Sequence, residues 1–251
     1  MQSVGRSLRT IWIIAKQEFS LLFGSPLIYF IGAIWLLING AFFSFYFGQQ
    51  WNQGVAPLDM APLINTMVFL MVFFAPAISM RLVADELREG THELLFTSPI
   101  RDGEIIVGKW LGAFGAVAVF IAITLLYPVV LALRGSPDIG AIAAGYLGLL
   151  LSTGTMMAIG ILASSLTQYQ LVALFVGIGS CLVLWIVDLF AGLVANPNVS
   201  DFIASLSLRD HGDALIVNSI IDPVDIAYFI GMIIIALLLA SQILGSRRYV
   251  G

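Results

Sequence analysis

The residues able to do chemistry are few in this 251-residue chain, and most sit together. Residues 81 to 110, RLVADELREGTHELLFTSPIRDGEIIVGKW, hold ten of the 26 charged side chains: Arg81, Asp85, Glu86, Arg88, Glu89, Glu93, Arg101, Asp102, Glu104 and Lys109. Acids and bases at this density could hold a metal, move protons or meet a charged partner. The patterns of known chemistry are missing. No H-E-x-x-H and no G-x-S-x-G occurs, so intramembrane hydrolysis has little support. Gly103 to Lys109 fits G-x-x-x-x-G-K, the first part of a phosphate-binding loop. Trp110 stands where Ser or Thr must hold Mg²⁺, however, and no strand precedes it. Nothing else in the chain could bind and hydrolyse ATP, so energy from ATP must come from a partner. Asp188 is the one acidic residue well inside an apolar run. An intramembrane carboxylate is a candidate functional group by default; plain exposure at the end of a span is the alternative. Cys181, the single cysteine, lies in an apolar run and reads as a small packing residue.

The elements that position these residues follow from composition. Sixty per cent of residues are hydrophobic, 10% are charged and the mean hydropathy is +1.01. A helix crossing ~30 Å of hydrocarbon needs ~20 mostly apolar residues. At least five runs reach or approach that length, and a soluble core helix would carry charges on every turn. The pattern predicts an all-α polytopic membrane protein with six spans, near 26–47, 61–80, 105–133, 139–162, 171–194 and 226–244. Pro128 predicts a kink in the third. The length leaves room for a single transmembrane domain over 1–251 and no added soluble one.

Ahead of the first span, residues 5–24 place Leu8, Ile11, Trp12, Ala15, Phe19, Leu22 and Phe23 on one helical face and Arg6, Arg9, Lys16 and Ser20 on another. This predicts an amphipathic helix in the headgroup region; a helix packed on protein is the alternative. Gly24-Ser25-Pro26 ends it. Before the last span, residues 195–225 predict a capping or re-entrant segment. Two short apolar helices, 201–208 and 214–221, bracket the charged Arg209 to Asp213.

Lysine and arginine set the orientation. With the N-terminus in the cytoplasm, Arg6, Arg9, Lys16, Arg81, Arg88, Arg101, Lys109, Arg247 and Arg248 fall inside, and Arg134 and Arg209 outside. Nine against two predicts both termini in the cytoplasm. His92 and His211 then lie on opposite sides of the membrane and cannot share a metal. The charged stretch is cytoplasmic, between the second and third spans. It predicts a helix with Val83, Leu87, Gly90 and Leu94 on one stripe, ended by Ser98-Pro99. Its excess of acidic over basic residues, six against four, disfavours anionic lipid as partner and favours a protein.

SMRLVADELREGTHELLFTSPI followed by EIIVGKWLGA resembles the signature region of ABC-2-type transporter permeases. It looks closest to the gliding-motility and multicopper-associated branch. In that family a basic residue closes the second span, as Arg81 does here. A D/E-x-x-x-G-T/S-x-E-x-L helix follows, at Asp85 to Leu95; then a T-S/x-P turn, at Thr97 to Pro99; then E-I-x-x-G-K, at Glu104 to Lys109. The likeness covers the chain, from "KQEF…SP" before the first span to "DPVDIAYFI" leading into the last.

The resemblance implies a coupling helix over 84–97 that docks into a separate ATPase subunit. Asp85, Glu86, Arg88, Glu89 and Glu93 would be contacts, with Gly90 allowing close approach. The chain would hold no cofactor and be no enzyme, ATP and Mg²⁺ being bound by the ATPase. A second copy or similar permease would stand beside it. The gliding-motility branch adds a membrane subunit with a large extracytoplasmic domain. The expected setting is a prokaryotic cytoplasmic membrane, with the lipid bilayer as surroundings and no nucleic acid as partner. Spans lacking the buried charges of ion-coupled carriers fit export of an apolar or amphipathic substrate. The alternative is a mechanotransmission or assembly module acting on an outer partner without moving cargo.

Overall fold

Apolar runs of this length satisfy their backbone in hydrocarbon by forming helices, and every element among the described residues is a helix. The computed structural model describes residues 2–52, 59–89, 101–133, 137–194, 196–217 and 221–247. Eleven helices follow in order within them. They are α1 (Gln2–Gly24), α2 (Pro26–Asn52), α3 (Ala61–Ser79), α4 (Arg81–Glu89), α5 (Asp102–Ile123) and α6 (Leu126–Ala132). Then come α7 (Ile139–Leu166), α8 (Gln170–Ala191), α9 (Pro197–Ala204), α10 (Leu208–Ile216) and α11 (Pro223–Arg247). Six stretches are long and apolar enough to cross a membrane: α2, α3 with α4, α5 with α6, α7, α8 and α11.

The fourth span is the centre of the bundle. In α7 the most apolar stretch is 78% buried, against 61% in α3, 22% in α2 and α11, and 17% in α8. It packs on α3, α8, α10 and α11, and buries Ser152, Thr153, Thr155, Ser164 and Ser165 almost completely. Small and hydroxyl-bearing residues let helices approach closely where lipid removes the hydrophobic drive. Gly160 shows how close. A Cβ there would stand 1.9 Å from Ser79 Oγ and 3.2 Å from Pro76 Cα, so α3 meets the bare backbone of α7.

Two spans are interrupted. In the third, the break falls at Thr124–Leu125, four residues before Pro128, because a proline ring disturbs the carbonyl of residue i−4. The Thr124 carbonyl accepts from the Tyr127 amide at 2.9 Å and from the Tyr146 hydroxyl at 2.8 Å. In the second, α3 gives way to α4 at Met80, and Ser164 of α7 stands at the break. The Ser164 hydroxyl donates to the Met80 carbonyl (2.7 Å) and accepts from the amides of Val83 (3.2 Å) and Ala84 (2.9 Å).

The expected apolar face of the N-terminal helix is shared between protein and the outside. Ala15 and Leu22 are buried, but Leu8 is 63% and Trp12 70% exposed. The packed edge is Ile11, Ile14, Ala15, Glu18, Phe19 and Leu22, laid lengthwise on α5 where Gly108 and Gly112 clear a path. A Cβ on Gly112 would fall 2.5 Å from the Ala15 carbonyl oxygen. The apolar face of α1 is thus split: one edge meets protein, and Leu8, Trp12 and Leu21 remain exposed.

The segment before the last span does differ. The expectation of charged residues bracketed by helices 201–208 and 214–221 is wrong: Arg209 to Asp213 lie within α10, and the link is Ser205 to Ser207. Capping explains it. Asn196 caps α9, with Pro197 in its first turn, and the Ser207 hydroxyl accepts from the Asp210 amide at 3.2 Å to start α10. The α9–α10 pair then locks onto α11. His211 Nδ1 lies 2.6 Å from Asp225 Oδ1, its ring stacks on Tyr228 at 4.0 Å, and the Tyr228 hydroxyl donates to the Leu206 carbonyl at 2.7 Å. Three spans separate this cap from α4, so the two lie on opposite sides of the membrane.

Candidate functional site

The short helix α4 turns Leu82, Val83, Ala84 and Leu87 inward, all buried, and leaves its charged residues on the remaining surface. Each acidic side chain described there has a partner inside the chain. Asp85 accepts a hydrogen bond from the Gln170 amide at the start of α8. Glu86 Oε1 lies 2.8 Å from Lys109 Nζ on α5. Arg81, at the head of α4, donates to Ser25 Oγ at 3.0 Å, between α1 and α2. Arg88 is exposed. The side chain of Glu89, together with Gly90, Glu93 and the 90–97 part of the expected coupling helix, lies outside the described residues.

Lys109 makes this a junction. Its ammonium also reaches Glu18 Oε2 of α1 at 3.2 Å, and its side chain is only 7% exposed, against 12% for Glu18 and 29% for Glu86. One cation therefore ties α5 to both α1 and α4. A cavity of about 230 Å³ adjoins it, lined among others by Ser25, Arg81, Asp85 and Glu86. A buried ion group of this kind adds little net stability, because desolvation offsets the attraction. What it supplies is a fixed geometry: α4 cannot shift without pulling on Lys109, and through it on α1 and α5.

Sequence reasoning placed Lys109 in a charged stretch and gave Glu18 no role. The available signal was a lone carboxylate on the Ala15–Leu22 edge of an apolar helix and a lone ammonium inside an apolar run, two charges that burial obliges to pair. The same contacts dispose of the phosphate-loop pattern, since Gly108 faces Ile14 and Lys109 is held by two carboxylates.

A family model described as "ABC-2 family transporter protein" matches residues 12–246, nearly the whole chain. The chain belongs to the ABC-2 transporter family. Comparison with curated proteins gives no match. As an ABC-2 protein it is a multi-pass membrane protein, the permease subunit of an ABC transporter, without ATPase activity of its own. Membership implies an ABC ATPase as partner and the bilayer as setting.

On the opposite face of the permease, Asp188 stands 3.9 Å from Arg209 of α10, which also reaches Asp213 at 3.5 Å. The lone carboxylate of the fifth span is thus met by a cation of the cap. Among the described residues no group of three His, Cys, Asp or Glu side chains is placed to hold a metal. Burial raises the Asp213 carboxyl above its ordinary value, with the Arg209 guanidinium and a hydrogen bond from Asn65 pulling the other way. A carboxyl that binds its proton more tightly when packed stabilises the docked cap at low pH. That contribution is lost as pH rises through the raised value. Amide exchange of α10, followed from roughly pH 4 to 7, is expected to quicken with pH beyond the intrinsic chemical trend. Asp213→Asn should abolish the excess; an unchanged slope in the variant counts against this assignment.

Proposed function

We propose that this ABC-2 permease carries ATP-driven movement from a separate ATPase subunit into its spans through α4, and that the movement serves export of an apolar or amphipathic substrate. The observation that carries the reading is the Lys109 junction. The helix that ends the second span is bonded, through one buried ammonium, to both α1 and α5. Docking falls to the outward side: Arg88, with Glu89, Gly90 and Glu93 as the sequence expectation has them. Asp85 and Glu86, already engaged within the chain, hold α4 to the bundle. Nine of eleven Lys and Arg residues on the α4 side support placing that side, and both termini, in the cytoplasm of a prokaryotic cell. ATP and Mg²⁺ belong to the ATPase, and a second permease completes the assembly.

An apolar cargo is supported by a groove of about 240 Å³ between α7, α8 and α11, lined by Leu162, Leu166, Val176, Leu184, Met232 and Ile235 among others. All of these lie in membrane-spanning helices.

Purification from gently solubilised membranes tests docking. Wild type should retain an ATPase subunit, and Arg88→Glu combined with Glu93→Arg should lose most of it while eluting as a folded protein. Loss of one partly exposed charge-assisted contact is worth ~1–3 kcal/mol, roughly a tenfold to hundredfold weakening. Retention of the ATPase by the double variant removes α4 from the interface. Absence of any ATPase from the wild-type preparation removes the coupling reading itself.

A further inference from the structure

We propose that Ser164 is a positioning residue for coupling: its hydroxyl forms the joint on which α4 turns against the membrane helix α3. This rests on α4 being the coupling helix. In an unbroken helix the Ala84 amide would bond to the Met80 carbonyl, and the Val83 amide to that of Ser79. Here the Ser164 hydroxyl stands in the ladder, donating to Met80 at 2.7 Å and accepting from Ala84 at 2.9 Å and Val83 at 3.2 Å. One donor and two acceptor sites are all that a hydroxyl has, so its capacity is used in full at this break. A side chain inserted in the ladder is a recognised cause of helix bending.

The surroundings isolate the joint. Pro76, one turn earlier, donates no amide to Val72, so the ladder is weakened twice between residues 72 and 84. Above the joint α3 is gripped: a Cβ on Gly160 of α7 would stand 3.2 Å from Pro76 Cα, and one on Gly177 of α8 3.0 Å from Pro76 Cβ. Below it, α4 is tied to α5 through Glu86 and to α8 through Asp85. Rigid helix, inserted hydroxyl and tethered helix follow one another within fifteen residues. Ser164 itself is fully buried, so solvent does not compete for the bonds. The hydroxyl lets α4 tilt by exchanging its two amide donors while it keeps the Met80 carbonyl.

Two arms test this. In the permease alone, in lipid nanodiscs, spin labels at Phe73→Cys and Arg88→Cys in a Cys181→Ala background report the span across the joint. Ser164→Ala should let the Ala84–Met80 rung close. The distance distribution should then narrow toward that of a continuous helix, a backbone spacing of about 22 Å, and Ser164→Thr should restore the wild-type distribution. In the complex with the copurifying ATPase, unlabelled Ser164→Ala should bind the ATPase within about twofold of wild type and keep its half-saturating ATP concentration. Its maximal turnover should fall roughly tenfold, the weight of about one hydrogen bond, and Ser164→Thr should recover it. An unchanged distance distribution in Ser164→Ala, or equal loss in Ala and Thr, overturns the joint. If no ATPase copurifies with wild type, the coupling reading fails. The labelled permease then still decides whether Ser164 sets the angle of α4.

Discussion

Lys109→Met is expected to be the most damaging single change at the junction. Methionine keeps the length and the apolar stem but leaves Glu18 and Glu86 facing each other with no cation between them. Breaking a buried pair by removing one partner costs about 3–5 kcal/mol, because the remaining charge is uncompensated. The lower end applies here, since Glu86 is 29% exposed and can swing toward water. A loss of ~3 kcal/mol is a large part of the 5–15 kcal/mol that holds a typical domain together. The measurement is the fraction remaining monodisperse after graded heating in nanodiscs. The triple variant Lys109→Met, Glu18→Gln, Glu86→Gln separates charge from packing, because neutral amides can hydrogen-bond to each other without a cation. It should regain most of the stability and yet, with α4 no longer ionically tied to α1 and α5, turn over ATP poorly in the complex. Wild-type stability in Lys109→Met alone would falsify the view that the junction is buried and paired.

Gly112→Val strikes the same assembly from the packing side. Its Cβ would stand 2.5 Å from the Ala15 carbonyl oxygen and 2.8 Å from Glu18 Cβ. The nearest atom is backbone, so no rotamer change relieves the clash and α1 as a whole must lift away. Overpacking of this kind costs ~1–3 kcal/mol. The consequence reaches further than stability, because Glu18 leaves with α1 and Lys109 loses one of its carboxylates. Limited trypsin digestion at Lys16 reports the release, and cleavage there should be faster in the variant. Gly103→Ala is the matched control, with nothing within 4 Å of its Cβ. Equal cleavage in Gly112→Val, Gly103→Ala and wild type would mean that α1 does not depend on this contact.

The spans were legible because lipid imposes a length and a polarity that few other settings share. Their order, and the helix before the first, could be read to within a few residues at most ends. Harder to read was everything settled by contact between distant segments. Pro128 signalled a kink, but the break lies at Thr124, whose carbonyl accepts a hydrogen bond from the Tyr146 hydroxyl of the next span. Nothing local marks Met80 as a break, because the group that opens the ladder comes from Ser164. Arg209 to Asp213 read as a charged link from their composition. The stronger signal was Ser207 before Leu208-Arg209-Asp210, a cap that starts a helix and carries the charges into it. Glu18 and Lys109 were each visible as isolated charges, and only the fold shows that they meet.

The enclosure of α7 has a consequence for how the chain is made. It is the least apolar of the six spans and brings five hydroxyl side chains into the middle of the bundle. Alone in hydrocarbon it would be a weak candidate for insertion. Of its main neighbours only α3 is synthesised before it; α8, α10 and α11 follow, and Thr155 finds the Phe229 carbonyl of α11, at 3.4 Å, only when the last span arrives. Biogenesis is therefore ordered by the sequence itself. The span that sits at the centre must wait for the spans that enclose it, and a substitution that spoils the surface of α8 or α11 would be felt as a degraded new chain before any transport could be measured.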